Sequence, residues 1–519
     1  MRNWRSFYEI LRFPLEIVFF AVFLCGIANI ITNPALGAAG YITNETVKAV
    51  AEIFMASGRF LIVCFPFIFL LRLVTRKSGS GTTIISALAG YAAFLCATIY
   101  FTKSEMPVTA FSGILGLSVS HSSIAAFNRT VHYPLQTGII GTAAVAMITN
   151  WSYERGRRRN EDGLFSFISK EISVAIRTVF FCVLAGIGIS FIWPYFISFI
   201  QKVIHFISVD TSNPVNLGLF GIMNRLLGVM NLGTLIRTPF WYSNAGGSWV
   251  NLAGVSIAGD VNIWTAQLQA NALVGMAGRF FTPYYVLNLF AVPGMIWGMY
   301  SLHTDKMEKR KLRIFCIIAT VCSLLCGTLL PLELMIALLC PLLFVFHLGY
   351  TGLLYAVCQS LHVYLGYSST ETSTIVAIPG TLMEFLNYMQ YPSLSRTLMY
   401  VAGIGVISMI IYFLVTRLYF KYLAIDLFDS GNKERLIKAL IKAVGGIENI
   451  RMTQSGISSM TISVYDPNKA DIGRLRKMGA YRIYESRAGY VICFGAASTM
   501  ICRGINDAMR DAIRPVNTN

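Results

Sequence analysis

Long apolar runs alternate with short polar breaks over the first 420 residues of the chain. Runs of a length that crosses about 30 Å of hydrocarbon fall at about 15–32, 57–75, 81–101, 134–151, 176–204, 282–301, 314–332, 334–358 and 398–420. Each predicts a transmembrane helix. Three further stretches, 106–128, 215–242 and 360–397, are less apolar and rich in Gly, Ser, Thr, Asn and Pro. Irregular backbone persists at membrane depth only where protein or a water-filled cavity satisfies its polar groups. These stretches therefore predict re-entrant or broken helices around a solute site. The alternative is that some are interfacial or external loops, but three of them in one chain favour the cavity.

The pattern changes after Phe420. KYLAIDLFDSGNKER (Lys421–Arg435) is polar and ends the membrane part. ERLIKALIKAVGG (Glu434–Gly446) has the period of an amphipathic helix, closed by a Gly cap. MTISVYD and GYVICFG alternate with a period of two and predict strands, with ADIGRLRKMGA as a helix between them and MICRGINDAMRDAI as a terminal helix. Residues 1–425 are thus expected to form a membrane domain, 426–433 a linker and 434–519 a small α/β module. The polar residues Met452–Ser459 read as an exposed turn before the first strand. They include no Cys, His, Asp, Glu, Lys or Arg.

Composition agrees with lipid as the solvent for most of the 519 residues. The chain is 55% hydrophobic and 13% charged, with a mean hydropathy of +0.61. Its net charge of +17 comes from short basic clusters between apolar runs, not from a continuous basic face. That distribution argues against nucleic acid and for the positive-inside rule with anionic lipid heads as partners. Arg2, Arg5 and Arg12, then Arg72, Arg76 and Lys77, then Arg155–Arg159, and finally Lys306–Arg313 mark cytoplasmic ends. The NKER charges place the module on the same side. The N-terminal run lacks a small-residue cleavage site and reads as a retained span. None of the eleven Cys falls at CxxC or zinc spacing, so no metal or other cofactor is expected.

Several fragments, taken in order, resemble the bacterial phosphotransferase-system sugar permeases of the glucose superfamily, with fused IIC and IIB domains. In the membrane part these are NRLLGVMNLGTLIRTPFWY (Asn224–Tyr242), GDVNIWTAQ (Gly259–Gln267), GTLLPLE (Gly327–Glu333) and CPLLFVFH (Cys340–His347). In the module they are KAVGGIENI (Lys442–Ile450), the strand Ile462–Asp466, LRKMGA (Leu475–Ala480) and VICFG (Val491–Gly495). The resemblance implies a polytopic helical protein of about ten spans with re-entrant segments, homodimeric in the bacterial inner membrane. It also implies a cytoplasmic IIB-like domain and a sugar as substrate.

The resemblance locates the chemistry and shows it altered. The family's phosphorylated Cys aligns with Gly456, and the arginines that steady its phosphate align with Ser459 and Thr461. Glycine supplies no thiolate, and hydroxyls supply no positive charge for phosphoryl transfer. The family's paired histidines align with Gly233 and Thr234, and its sugar-binding Glu with Leu330. Arg225, Asp260, Asn262, Gln267, Pro331 and Glu333 still match.

The expected substrate site is therefore Arg225, Asn231, Thr234, Asp260, Asn262, Gln267 and Glu333. Arg225 could instead be topogenic and Asp260 a helix cap, whereas Glu333 lies between two apolar runs and is expected to face the cavity. His347 reads as either a cavity-lining or a satisfied packing residue, with packing favoured. The function implied is transport or sensing of a small sugar-like solute without phosphorylating it. The alternatives are an orthodox sugar-phosphorylating permease, and a regulator acting through the IIB-like domain on a cytosolic partner.

Overall fold

Glycines and prolines divide the apolar runs, and the division is finer than hydropathy alone predicts. The computed structural model describes all residues except 1, 33–41, 43, 79–80, 103–105, 113–132, 158–169, 252, 271–276, 302–305, 369–378, 420–432, 456–459, 479, 481, 487–488, 495–496 and 514–519. One compact unit covers Ile10–Leu418; the other joins Tyr419–Asn519 with Met1–Glu9. The linker expected at 426–433 lies outside the described residues except for Lys433.

The first helices are α1 (Arg2–Thr32), which belongs to the membrane unit from Ile10 onward, α2 (Glu45–Val63), α3 (Phe65–Ser78), α4 (Gly81–Phe101), α5 (Gly138–Arg157) and α6 (Lys170–Val209). α2 and α3 meet at 55°. Pro66, in the first turn of α3, has no N–H with which to continue the ladder of α2. Next come α7 (Pro214–Val229) and α8 (Thr234–Tyr242), a hairpin of β1 (Ser248–Val250) and β2 (Ser256–Ala258), and α9 (Asp260–Gln269). The expected span at 282–301 is α10 (Thr282–Val286) and α11 (Val292–Ser301), separated by a π turn. α12 (Lys306–Cys326), α13 (Leu330–Leu339), α14 (Pro341–Ser360), α15 (Leu382–Tyr388) and α16 (Ser395–Leu418) complete the unit.

Among the described residues, five helices are long and apolar enough to cross a bilayer, or six if the bent α2–α3 pair is one span. The described residues thus account for part of the about ten spans expected. Gly327, with φ +56°, stops α12, and Pro341 separates α13 from α14. A ten-residue helix such as α13 rises about 15 Å, half the hydrocarbon thickness. The polar stretch 215–242 is a broken helix pair, α7 and α8, as expected. Of 106–128, residues 113–128 lie outside the described residues, as do 369–378 of 360–397.

The second unit has an antiparallel sheet of β3 (Ile450–Ser455), β4 (Met460–Val464), β5 (Arg482–Ser486) and β6 (Gly489–Cys493), in the order β3-β4-β6-β5. α17 (Lys433–Ala443), α18 (Ile472–Lys477) and α19 (Ala497–Ile513) accompany it. Met460, Ile462 and Val464 are buried, so the period-two reading of β4 holds. They share a core with Leu440, Val444, Ile492, Ile501 and Ile505. The expected turn Met452–Ser459 is half strand: Met452–Ser455 belong to β3, which pairs as far as Ser455 opposite Met460. Polar side chains concealed that strand. Thr453 is buried, its hydroxyl donating to Asn506 Oδ1 at 2.6 Å and accepting from the Cys502 thiol at 3.3 Å. β5 was not expected either. Only Ile483 of its five residues is even half-buried, as suits an edge strand with no buried face to write a period.

Asn449 ties the module together. Its amide donates to Val444 O at 2.7 Å and Asp466 O at 2.9 Å, and its Oδ1 accepts from the Asp466 amide at 2.8 Å. Asn449→Ala leaves those backbone groups without partners, and each bond is worth about 1 kcal/mol net. The substitution is expected to cost the module about 2–4 kcal/mol in urea unfolding of residues 434–519. An unchanged midpoint would show that water replaces these bonds without loss.

Candidate functional site

α7 and α13 carry the two charges expected at the centre of the membrane unit, and they meet. α7 starts at Pro214, with the Asn213 side chain capping the Val215 amide, and one buried face brings Asn224 and Arg225 inward. Glu333 lies in the first turn of α13, where a carboxylate is favoured by the helix dipole. Arg225 Nη1 is 3.1 Å from Glu333 Oε1, with both side chains almost fully buried. The same oxygen is 3.1 Å from His347 Nε2, and His347 Nδ1 is 2.8 Å from the Tyr412 hydroxyl. If Nε2 carries the proton, it donates to Glu333, and Nδ1 accepts from Tyr412. The guanidinium of Arg225 also lies 4.3 Å from the centre of the Tyr284 ring. Asn224 holds that tyrosine by donating to its hydroxyl at 2.7 Å.

Beside this pair is a cavity of about 80 Å³, room for roughly five to eight waters at about 10–15 Å³ each. Arg225, Asn231, Thr234 and Glu333 line it, so the structure brings four of the seven expected residues together. Asn231 turns the chain between α7 and α8 with φ +59°, a conformation that asparagine tolerates. Thr234 donates to Gln136 Oε1 at 2.9 Å, and Gln136 Nε2 donates to the Asn231 carbonyl at 3.2 Å. Leu330 adds an apolar surface to the wall.

Asp260, Asn262 and Gln267 are not in this cavity. Asp260 is buried and accepts the Gly278 amide at 2.9 Å, which holds a turn. Asn262 is exposed and donates to Ala258 O at 2.8 Å, and Gln267 is buried away from the cavity wall. His347 packs as expected but also orients Glu333, so its reading as packing alone is too narrow. In the module, Thr461 sits in β4 opposite Gln454 and Val491. Gly456 and Ser459 lie outside the described residues.

Sequence reasoning missed Arg237, Gln136 and Tyr284, which all line the cavity. Arg237 was detectable as a cation within an apolar helix, TLIRTPFWY. It lies across Gly233: a Cβ there would come 2.7 Å from Arg237 Nη2. Sequence reasoning also passed over Glu384, a buried carboxylate in α15. It accepts the Gly380 and Ser368 amides at 3.1 and 3.3 Å. The signal was Thr381 three residues before Glu384, a capping-box spacing, and Thr381 does accept the Glu384 amide at 3.1 Å.

Comparison with known proteins agrees with the motifs. The family model described as "Phosphotransferase system, EIIC" matches residues 9–352. The chain is also 25% identical over 492 residues to the "PTS system glucose-specific EIICBA component" of Staphylococcus saprophyticus subsp. saprophyticus. That match covers 91% of this chain and 68% of the relative. The fold, a multi-pass helical membrane protein with a small strand-containing C-terminal part, fits both matches. The family model spans more than half of the chain, which therefore belongs to the EIIC family of the phosphotransferase system.

Proposed function

We propose that this protein carries or senses a small sugar-like solute through the Arg225–Glu333 cavity and does not phosphorylate it. In this reading it is a homodimer in the bacterial inner membrane, with a cytoplasmic IIB-like module that acts by contact with the membrane domain or a cytosolic partner. The observation that carries the proposal is that neither cysteine of the module is presented to solvent. Its only two cysteines, Cys493 and Cys502, are 8% and 4% exposed, and Cys502 donates to the Thr453 hydroxyl. A cysteine accepts a phosphoryl group only as an accessible thiolate, and the module holds no histidine in its place. Gly456, at the family's phosphocysteine position, has no side chain. Leu330 supports the same reading from the membrane side, since it cannot accept a hydrogen bond from a sugar hydroxyl.

The name of the Staphylococcus relative favours the alternative, an orthodox glucose permease that phosphorylates its cargo. Labelling separates the two. Purified protein, incubated with radiolabelled phosphoenolpyruvate and the general phosphotransferase carriers, is expected to take up no stoichiometric phosphate. A stoichiometric phosphoprotein would favour the orthodox permease and end the non-phosphorylating reading.

A further inference from the structure

Two guanidiniums and one carboxylate line the central cavity. Among the described residues of the wall, Glu333 is the only acid, and its Oε1 already faces both Arg225 and His347. Arg225 spends Nη1 on that contact, while its Nε and Nη2 are buried with no hydrogen-bond partner. Arg237 Nε is buried without one as well, and among the described residues Arg237 has no carboxylate within ion-pair distance. The rest of the polar wall, Gln136, Asn231 and Thr234, is neutral. Buried N–H groups are rarely left unanswered in native structures, and an uncompensated charge at membrane depth marks a site. Water can answer an N–H, but it cannot cancel the remaining unit of positive charge.

We infer that the solute taken by this cavity is an anion, a sugar bearing a carboxylate or a phosphate, and that Arg237 receives the charged group. This rests on the reading of the cavity as a solute site. Gly233 makes room for the arrangement, because the guanidinium of Arg237 lies where a side chain at 233 would stand. The Trp241 ring is 5.7 Å from the same guanidinium and adds a cation–π contact. A fork of N–H donors matches a carboxylate or phosphate better than a single hydroxyl. Tyr91, Leu135 and Leu330 supply apolar wall for the C–H face of a sugar ring.

The test is calorimetric titration of the purified full-length protein with glucose, glucuronate and glucose 6-phosphate. Glucuronate or glucose 6-phosphate is expected to bind at least about 10-fold more tightly than glucose, and which of them does so tells carboxylate from phosphate. Arg237→Gln is expected to weaken the anion by about 10- to 100-fold, the range for a lost charge-assisted bond, and to weaken glucose by far less, so that the preference for the anion collapses. Arg237→Lys, which keeps the charge, is expected to retain part of the affinity, and it decides the matter if the Gln variant melts early. Equal or tighter binding of glucose, or indifference of anion binding to both variants, overturns the inference and leaves the solute site standing. Binding of none of the three overturns both.

Discussion

Glu333→Gln is expected to destabilise the membrane unit by about 3 kcal/mol, the lower end of the range for breaking one side of a buried ion pair. The amide is nearly isosteric and can still accept from Arg225 Nη1 and His347 Nε2, so the loss isolates charge from shape. What remains is an Arg225 that is 5% exposed and has no carboxylate partner among the described residues. The check is the melting temperature in detergent, with a double-mutant cycle. Arg225→Met should fall by a similar amount alone, and Arg225→Met with Glu333→Leu should recover much of the loss, because an apolar pair leaves no charge uncompensated. An unchanged melt in Glu333→Gln would mean that another anion already neutralises Arg225.

Gly138→Ala should be the more damaging change, at about 3 kcal/mol or more. Gly138 begins α5 with φ +55°, where an L side chain costs about 1–3 kcal/mol. A Cβ there would also come 2.2 Å from the Met230 carbonyl oxygen, a backbone atom that cannot rotate away. The neighbouring Ile139 amide donates to that same carbonyl at 3.2 Å. The substitution therefore pushes α5 off the end of α7 and opens the cavity wall that Gly138 lines. Gly228→Ala is the matched control. It lines the same cavity on α7, but a Cβ there meets nothing within 4 Å. It should be neutral or stabilise by up to about 1 kcal/mol through helix propensity. Equal melting temperatures for the two variants would refute the account.

Charge at membrane depth was the most legible feature of the sequence. Glu333 stood between two apolar runs, and the rule that such a residue faces a site pointed to the cavity it lines. Arg237 obeyed the same rule and was passed over, because family motifs drew attention to Gly233 and Thr234 four and three positions earlier. Asp260, Asn262 and Gln267 entered through motif similarity alone, and the partners of the first two, the Gly278 amide and the Ala258 carbonyl, are backbone fixtures that no pattern reveals. The helices were legible as apolar runs. Their breaks were less so, because a π turn at Leu287–Ala291 leaves no mark in hydropathy. In the module, burial wrote a clean period into β4, which lies between two partners, and none into β3 and β5, which have one each.

Those two outer strands carry charge as well as exposure: Arg451 on β3, Arg482 and Glu485 on β5. An unpaired strand is a template for another, and charged side chains along it are a standard deterrent. The point matters for a domain fused to a membrane protein. Tethered copies share a surface instead of a volume, and their effective concentration rises steeply. A sheet with apolar, unguarded edges would add strands across neighbouring molecules under that crowding. With its borders charged, this module can be packed densely in two dimensions and remain a set of separate folded units.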